Sequence, residues 1–427
     1  MIKKILIIRK HLNNRNFCDI STKNIISTSR RNTSNTVALD NHSFDFYTSH
    51  IYRLQIKNTL KPPRNWQEIQ IRPDKLDWEK AYFKEINSLE SVGGMTVIDR
   101  PLDKEILDIL EIFTWKENTF TNQREAKVRI AARGDKALMK ISVYSPVAGI
   151  TGLRIIIHCS ITYFESNLQA IDVKTAFLNA RTPTARYFNL PLGHKNRLGT
   201  TKVWKTYCAL YELTDSSYHW YKCLVNFLKK LNLEQCMSEE CLFTLKSKTN
   251  DKLELLILIY VDDILLTGTN EKITWFTNNL SNRFNIRKTT EASSFIGIQI
   301  MKNKEYFKLV QKTFIQEAVD KFELLQAKPV NTPIDLSCLE NFESMSLHNK
   351  TLYQSIIGSL NYVTSCTRPD VSFSVNLLSR RLQNPTVADL KRAKRVLVFL
   401  RDTKKIFYHT KVRNKILQHK VVVKPNI

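Results

Sequence analysis

Two periodicities alternate along this chain, and between them they predict most of its elements. From Trp66 to Leu89 apolar side chains recur at helical spacing (Trp78, Ala81, Tyr82, Ile86, Leu89), and Gly93-Gly94 supplies a stop. Residues 95–180 read as short strands broken by turns. Within them, Lys127 to Gly134 alternates basic and apolar residues, the pattern of a half-exposed strand with one basic face. Leu168 to Leu178 is another strand candidate, carrying Asp172. Trp220, Cys223, Leu224, Phe227, Leu228 and Leu231 return to helical spacing. Two apolar runs follow, Leu256–Val261 and Ile264–Leu266, divided only by Asp262-Asp263, which predicts a strand, a tight turn and a strand. Phe314 to Leu325 reads as a helix with Ile315, Val319 and Phe322 on one face. Residues 350–402 are mostly helical. Tyr353, Ile357, Leu360 and Val363 share a face, and Pro385-Thr386 opens a last helix with the seam Leu390, Ala393, Leu397 and Leu400.

These patterns divide the chain into three. Residues 1–62 are rich in Asn, Ser, Thr and basic residues, lack a sustained period, and read as a polar basic tail or linker closing at Pro62-Pro63. Residues 63–332 hold the strands and the turn with paired carboxylates. Asn331-Thr332-Pro333 marks a boundary, and 333–427 form a helical, basic region.

Composition changes this picture in one direction. At 43% hydrophobic the chain has ample material for cores, so disorder is not the default. A net charge of +25 favours a polyanionic partner, of which nucleic acid is the commonest. Residues 379–427 carry fourteen Lys and Arg against only Asp389 and Asp402. Lys391, Lys394, Arg395 and Arg401 lie away from or beside the last helix's seam, as a phosphate-tracking surface or, equally, a solvated face. The eight cysteines form no CxxC and no zinc spacing, which suits a reduced, intracellular protein. No signal or membrane segment is expected, because the longest apolar run is too short to span a bilayer and ends in two aspartates.

Those aspartates carry the chemistry. A tight hairpin turn ordinarily takes Asn-Gly or Asp-Gly, and adjacent carboxylates repel. By itself Asp-Asp is more often a plain polar turn. Flanking by two apolar strands makes a divalent-cation site an even match for that alternative. Asp172, at the end of an apolar-alternating strand, is the best-placed third carboxylate. Two cations about 4 Å apart on such a set can clamp the attacking and leaving oxygens of phosphoryl transfer.

The stretch Asp172–Leu178 followed by Tyr260-Val261-Asp262-Asp263 resembles the first and third palm motifs of copia-type reverse transcriptases. So do Trp78–Leu89, Lys127–Gly134, Ser145–Ala148, Phe295–Ile298, Tyr353–Tyr362 and Thr367–Asp370, in the family's order, from about residue 63 to about 410. The resemblance implies an α+β right-hand polymerase, with fingers and a ferredoxin-like palm followed by a mainly helical connection or thumb-like region. It implies RNA- or DNA-templated DNA synthesis on a primer-template from dNTP substrates. Asp172, Asp262 and Asp263 become the catalytic carboxylates holding two Mg²⁺ ions. Phe177 becomes the bulky gate under the sugar. Lys127, Arg129 and Arg133 become triphosphate contacts, and Tyr260 joins the nucleotide site.

The segment 210–221 departs from the family. Leu210, Tyr211, Leu213, Ser216, Trp220 and Tyr221 keep its frame. Glu212, Thr214, Asp215 and Tyr218 stand where the family has glycine, lysine, glutamine and arginine, a local shift of about −4 in charge. One added negative charge about 8 Å from a phosphate costs roughly 2 kcal/mol at an effective dielectric near 20. With only 10 glycines in the chain, turns have also lost their preferred residue. The expectation is weak or absent polymerase activity, with a catalytically dead nucleic-acid-binding remnant as the alternative. No acidic residue follows Asp402, so RNase H chemistry is expected to be absent.

Overall fold

The computed structural model describes residues 60–118, 123–137, 143–165, 167–199, 201–289, 291–303, 306–335, 345–403, 407–413 and 416–422; from 407 onward the backbone alone is described. The tail expected over 1–62 lies, up to residue 59, outside the described residues. The described chain from Lys61 onward is a single unit of mixed α and β structure with three apolar cores.

The first core gathers around α1 (Trp66–Gln70) and α2 (Lys75–Ser91). The expected single helix is two, because Pro73 lacks the N–H that a continuous helix would use. Asp74 anchors the break, accepting from Arg72 and from the Trp78 indole at 2.9 Å. Trp78, Tyr82, Ile86 and Leu89 form the buried stripe, as the spacing predicts. Four strands follow: β1 (Thr96–Asp99), β2 (Ile106–Leu107), β3 (Ile109–Asn118) and β4 (Gln123–Ala132). β3 and β4 pair as an antiparallel ribbon, and α2 packs on β4. Val128 and Ile130 of β4 are buried while Lys127 and Arg129 stay exposed, so the alternation read from the sequence holds as far as Ile130; Ala131 and Ala132 are both buried.

Ile150–Tyr163 forms helix α3, where strands were expected. Its run of isoleucines and threonines favours extended structure locally. Burial of Leu153, Ile156, Ile157 and Ser160, at helical spacing, overrides that preference. Next come β5 (Leu168–Val173), β6 (Arg181–Asn189), α4 (Leu192–Leu198), β7 (Lys202–Cys208) and α5 (Ser216–Lys230). β5 stops short of the expected Leu178. Thr175 turns left-handed at φ +50°, and Ala176–Asn179 coil into a short 3₁₀ turn. β1, β7, β6 and β2 make one four-stranded sheet, in that order.

The central sheet adds β8 (Glu234–Gln235), β9 (Leu242–Lys246), β10 (Leu253–Tyr260) and β11 (Asp263–Gly268). Helix α6 (Asn270–Arg283) and β12 (Ile286–Thr289) complete it. Its six strands run β12-β5-β11-β10-β9-β8, all antiparallel. Leu255 to Ile259 are buried without a break, which requires cover on both faces of β10. Helices α3, α5 and α6 contribute Ile156, Trp220 and Phe276 to that cover.

β13 (Ser294–Phe295), β14 (Ile298–Lys302) and β15 (Tyr306–Val310) lead into α7 (Lys312–Lys321). This helix ends before the expected Leu325, as Glu323 is left-handed at φ +57°. Helices α8 (Lys350–Cys366), α9 (Ser372–Ser379) and α10 (Val387–Asp402) pack with α7 into the third core, which starts at Ile315, ahead of the boundary read at 332. The faces of α8 and α10 are those predicted, and Thr386 caps α10 reciprocally with Asp389. The region read as helical to 427 instead ends in strands: β16 (Phe407–Arg413) returns to pair with β15, and β17 (Ile416–Val422) pairs with β16, in a five-stranded sheet. The Thr367–Asp370 motif is structural. Arg368, 2% exposed, holds Asp370 through two nitrogens and also the Thr403 carbonyl and hydroxyl at the end of α10.

Candidate active site

Antiparallel register builds the carboxylate cluster. Tyr260 pairs with Asp263 across β10 and β11, leaving Val261-Asp262 as a two-residue turn. On the other side of β11, Asp263 pairs directly with Asp172 of β5. Directly opposed residues point to the same face with Cβ atoms about 4.5–5.5 Å apart. The Asp262 carbonyl accepts from the Val173 N–H at 2.8 Å, so the turn is tied to the strand carrying Asp172. Strands some ninety residues apart thereby bring Asp172, Asp262 and Asp263 together.

Like charges so placed resist ionisation. Burial, then repulsion from Asp172, raises Asp262 above the usual carboxylate range, while its own backbone N–H, Arg129 and Lys127 act the other way. Asp263 is pushed up to about 6 by enclosure and then by repulsion from Asp262 and Asp172. Its surface nevertheless stays exposed, so the carboxylate is crowded by protein rather than sealed from water. Tyr260 is raised by burial and then by both turn aspartates.

The basic face of β4 lies in electrostatic reach of this cluster. Lys127 is lowered by burial and by Arg129 and Lys116, and Glu85 and Asp172 oppose that shift. Arg129 sits over the Tyr211 ring at 5.0 Å, and Phe177 meets the same ring edge-on at 5.2 Å. Tyr211 itself is pushed up to about 12 by burial, with Asp262 and Asp172 among the charges it feels. Tyr211 and Glu85 thus join Lys127, Arg129 and Phe177 beside the carboxylates; Tyr211 belongs to the family-like segment 210–221 without being expected at the site, and Glu85 stands only within the helix read over 78–89. Arg133 does not join them. Its guanidinium is held by Asp135 through two 3.0 Å hydrogen bonds, and its charged neighbours are Asp135 and Asp108. The alternation along β4 ends at Ile130 and the strand at Ala132, and the chain turns away before Arg133 can extend the basic face.

Segment 210–221 corrects the charge reading at one position and sharpens it at another. Asp215 is spent on partners within the fold. Its side chain is 4% exposed and forms an ion pair with Arg186 of β6, with the His219 Nε2 at 3.2 Å. Arg186 could not be foreseen, because its partner lies 29 residues away and on another element. Glu212, by contrast, is exposed and left-handed at φ +67°, the conformation in which glycine carries no steric penalty. Its carbonyl packs so close to Gly134 that a Cβ there would come within 2.3 Å. Tyr218 accepts from the Lys222 ammonium at 2.9 Å.

The expected phosphate-tracking surface on α10 is also reduced. Arg401, with a 9% exposed side chain, donates to the carbonyls of Leu324, Leu325 and Ala327 and pairs with Asp402. Arg395 donates to the Thr332 carbonyl and hydroxyl. Both hold the loop after α7 against α10, using their long stems to reach polar oxygens along that loop. Lys391 is exposed and Lys394 half-buried.

Among the described residues no group of three or more His, Cys, Asp or Glu closes tightly enough to hold a metal ion unaided. The chemistry of the three aspartates still fits a hard divalent cation. Their oxygens are the preferred donors, and a cation relieves the repulsion that raises Asp262 and Asp263. The six described cysteines are unpaired, and no described helix is long and apolar enough to cross a membrane.

With this geometry in place, the sequence relatives are informative. Residues 93–336 match the family described as reverse transcriptase (RNA-dependent DNA polymerase), and the chain belongs to that family. It is a reverse-transcriptase region of the retrotransposon Pol type. It is 28% identical over 356 residues to the retrovirus-related Pol polyprotein from transposon TNT 1-94 of Nicotiana tabacum, covering 80% of this chain and 27% of the relative. It is 31% identical over 334 residues to the Pol polyprotein from transposon RE1 of Arabidopsis thaliana, covering 76% of this chain and 22% of the relative. A similar match, 30% over 334 residues, is to that from transposon RE2 of the same plant, covering 76% of this chain and 22% of the relative. The chain therefore spans about a quarter of the length of these polyproteins. Membership in the family implies a divalent metal, a nucleic-acid template and dNTP substrates in general terms.

Proposed function

We propose that this chain catalyses template-directed nucleotidyl transfer on an RNA or DNA primer-template, with the central sheet as the palm of a right-hand polymerase. The α1–α2 and β3–β4 unit serves as fingers, and α7 to α10 as a thumb-like connection. The observation that carries this reading is the register that sets Asp263 opposite Asp172 with Asp262 at the adjoining turn. Asp172, Asp262 and Asp263 hold two Mg²⁺ ions, which supply charge neutralisation at the attacking and leaving oxygens. Lys127 and Arg129 supply positive charge for the incoming triphosphate, since both already act on Asp262 across the site. Phe177, braced edge-on by Tyr211, supplies a bulky surface that excludes a 2′-hydroxyl. Primer extension by the purified chain with Mg²⁺ and dNTPs tests this. Extension by the native chain and its loss in Asp262→Asn is the expected result, and no extension by the native chain overturns it.

A second reading rests on Glu212, which puts a negative, conformationally costly residue next to Tyr211. In that reading the chain binds a primer-template duplex in a salt-dependent way and does not extend it. Binding without extension singles it out.

A further inference from the structure

The turn that carries Asp262 and Asp263 is held from outside its own hairpin. Val261 is β-branched yet sits at φ +56°, a region such residues rarely enter because Cβ crowds the backbone. Asp262 does not share that conformation, so the strain is concentrated at one residue. The Val261 carbonyl accepts the indole N–H of Trp220 at 2.6 Å. Trp220 is 1% exposed, and its ring meets Phe284 edge-on at 5.3 Å, so the donor is fixed in direction. Ser145 and Pro146 line the same small gap, and the Ser145 hydroxyl donates to the Ser217 carbonyl at 3.1 Å. The first turn of α5 is anchored in turn by Asp215 on Arg186 and by the Ser216 hydroxyl on the Leu210 carbonyl. A chain of contacts therefore runs from β6 through α5 to the carboxylate turn.

Resting on the reading of Asp172, Asp262 and Asp263 as the catalytic centre, we propose that Trp220 is a positioning residue. Its indole N–H holds the Val261 carbonyl and keeps the turn in the one conformation that presents Asp262 and Asp263 alongside Asp172. Without that donor, Val261 is free to leave the left-handed region, and the carbonyl it releases must find water or another partner. Phenylalanine at 220 keeps an aromatic ring in the core and removes the donor together with part of the ring volume, which the Val261→Gly background holds constant. Glycine at 261 adopts positive φ without steric cost, so it makes the clamp dispensable.

The test compares the full chain with Trp220→Phe, Val261→Gly and the double variant, reading amide hydrogen exchange and single-nucleotide addition. Trp220→Phe should speed exchange at Asp262 and Asp263 tenfold or more while Leu256–Leu258 keep native protection. It should lower kcat at least tenfold and leave KM for dNTP within twofold. In the Val261→Gly background the exchange effect of Trp220→Phe should shrink to threefold or less. Unchanged exchange at the turn, or equal effects in both backgrounds, overturns the proposal. If Trp220→Phe loses protection throughout β10, the native chain decides. A slowly exchanging Trp220 indole proton supports the clamp, and one exchanging at the solvent rate overturns it. A native chain that adds no nucleotide counts against the catalytic reading, whereas the exchange results still decide the role of Trp220.

Discussion

Replacing Arg186 by methionine removes the guanidinium from a carboxylate whose side chain is only 4% exposed. Breaking a buried pair from one side costs about 3–5 kcal/mol, because the remaining charge stays desolvated. Two features soften that figure here. The Arg186 side chain is itself 18% exposed, and His219 remains 3.2 Å from Asp215 as a fallback partner. A loss of about 2–3 kcal/mol is therefore expected. Replacing both members, as Arg186→Met with Asp215→Leu, should recover most of it, since apolar pairs of similar volume are often neutral or better. Urea unfolding followed by tryptophan fluorescence reads this as a fall in midpoint of about 0.7–1 M, for a slope near 3 kcal/mol/M. A fall of a few tenths of a kcal/mol, the size expected of an exposed pair, would refute the buried-anchor reasoning. So would a stable Asp215→Asn variant with a lower KM for dNTP, because that would put Asp215 back against the substrate.

Other outcomes follow from the same geometry. Asp263 has its folded pKa raised from 3.8 to about 6, so its contribution favours the folded state below pH 3.8 and is lost as pH rises through about 6. Divalent-metal binding should show the opposite slope, strengthening through pH 6, and Asp172→Asn should move that midpoint to lower pH. A midpoint unmoved by Asp172→Asn, measured by Mn²⁺ titration, would count against the repulsion. Glu212→Gly relieves a left-handed glutamate and should stabilise the chain by about 1 kcal/mol. It should also lower KM for dNTP, and steady-state incorporation kinetics would reveal a failure to do so. Arg401→Ala should cost about 2–3 kcal/mol through three orphaned carbonyls while leaving the salt slope of duplex binding unchanged. Lys391→Ala with Lys394→Ala should do the reverse, reducing that slope by about 2 without loss of stability.

Much of the fold was legible from period alone. The stripe of α2, the faces of α8 and α10 and the β10–β11 hairpin lie where apolar spacing puts them, because each helix buries one continuous face and the hairpin is buried on both. Helix α3 was not legible. Its β-branched residues favour a strand locally, and only packing against the central sheet makes a helix of them. The same division runs through the site. Asp262-Asp263 between apolar runs announces a tight turn between two strands, and the ordered motifs identify the reverse-transcriptase family without coordinates. Charge counted along the chain misjudged Asp215, Arg395 and Arg401, because a one-dimensional count cannot see partners that arrive from distant elements. Sequence by itself determined which residue types were available and the lineage they belong to. Tertiary structure alone decided which charges are spent internally and which stay open to solvent. Electrostatic energy depends on distance and burial, and for Asp215 and Arg186 both are set by the meeting of α5 with β6.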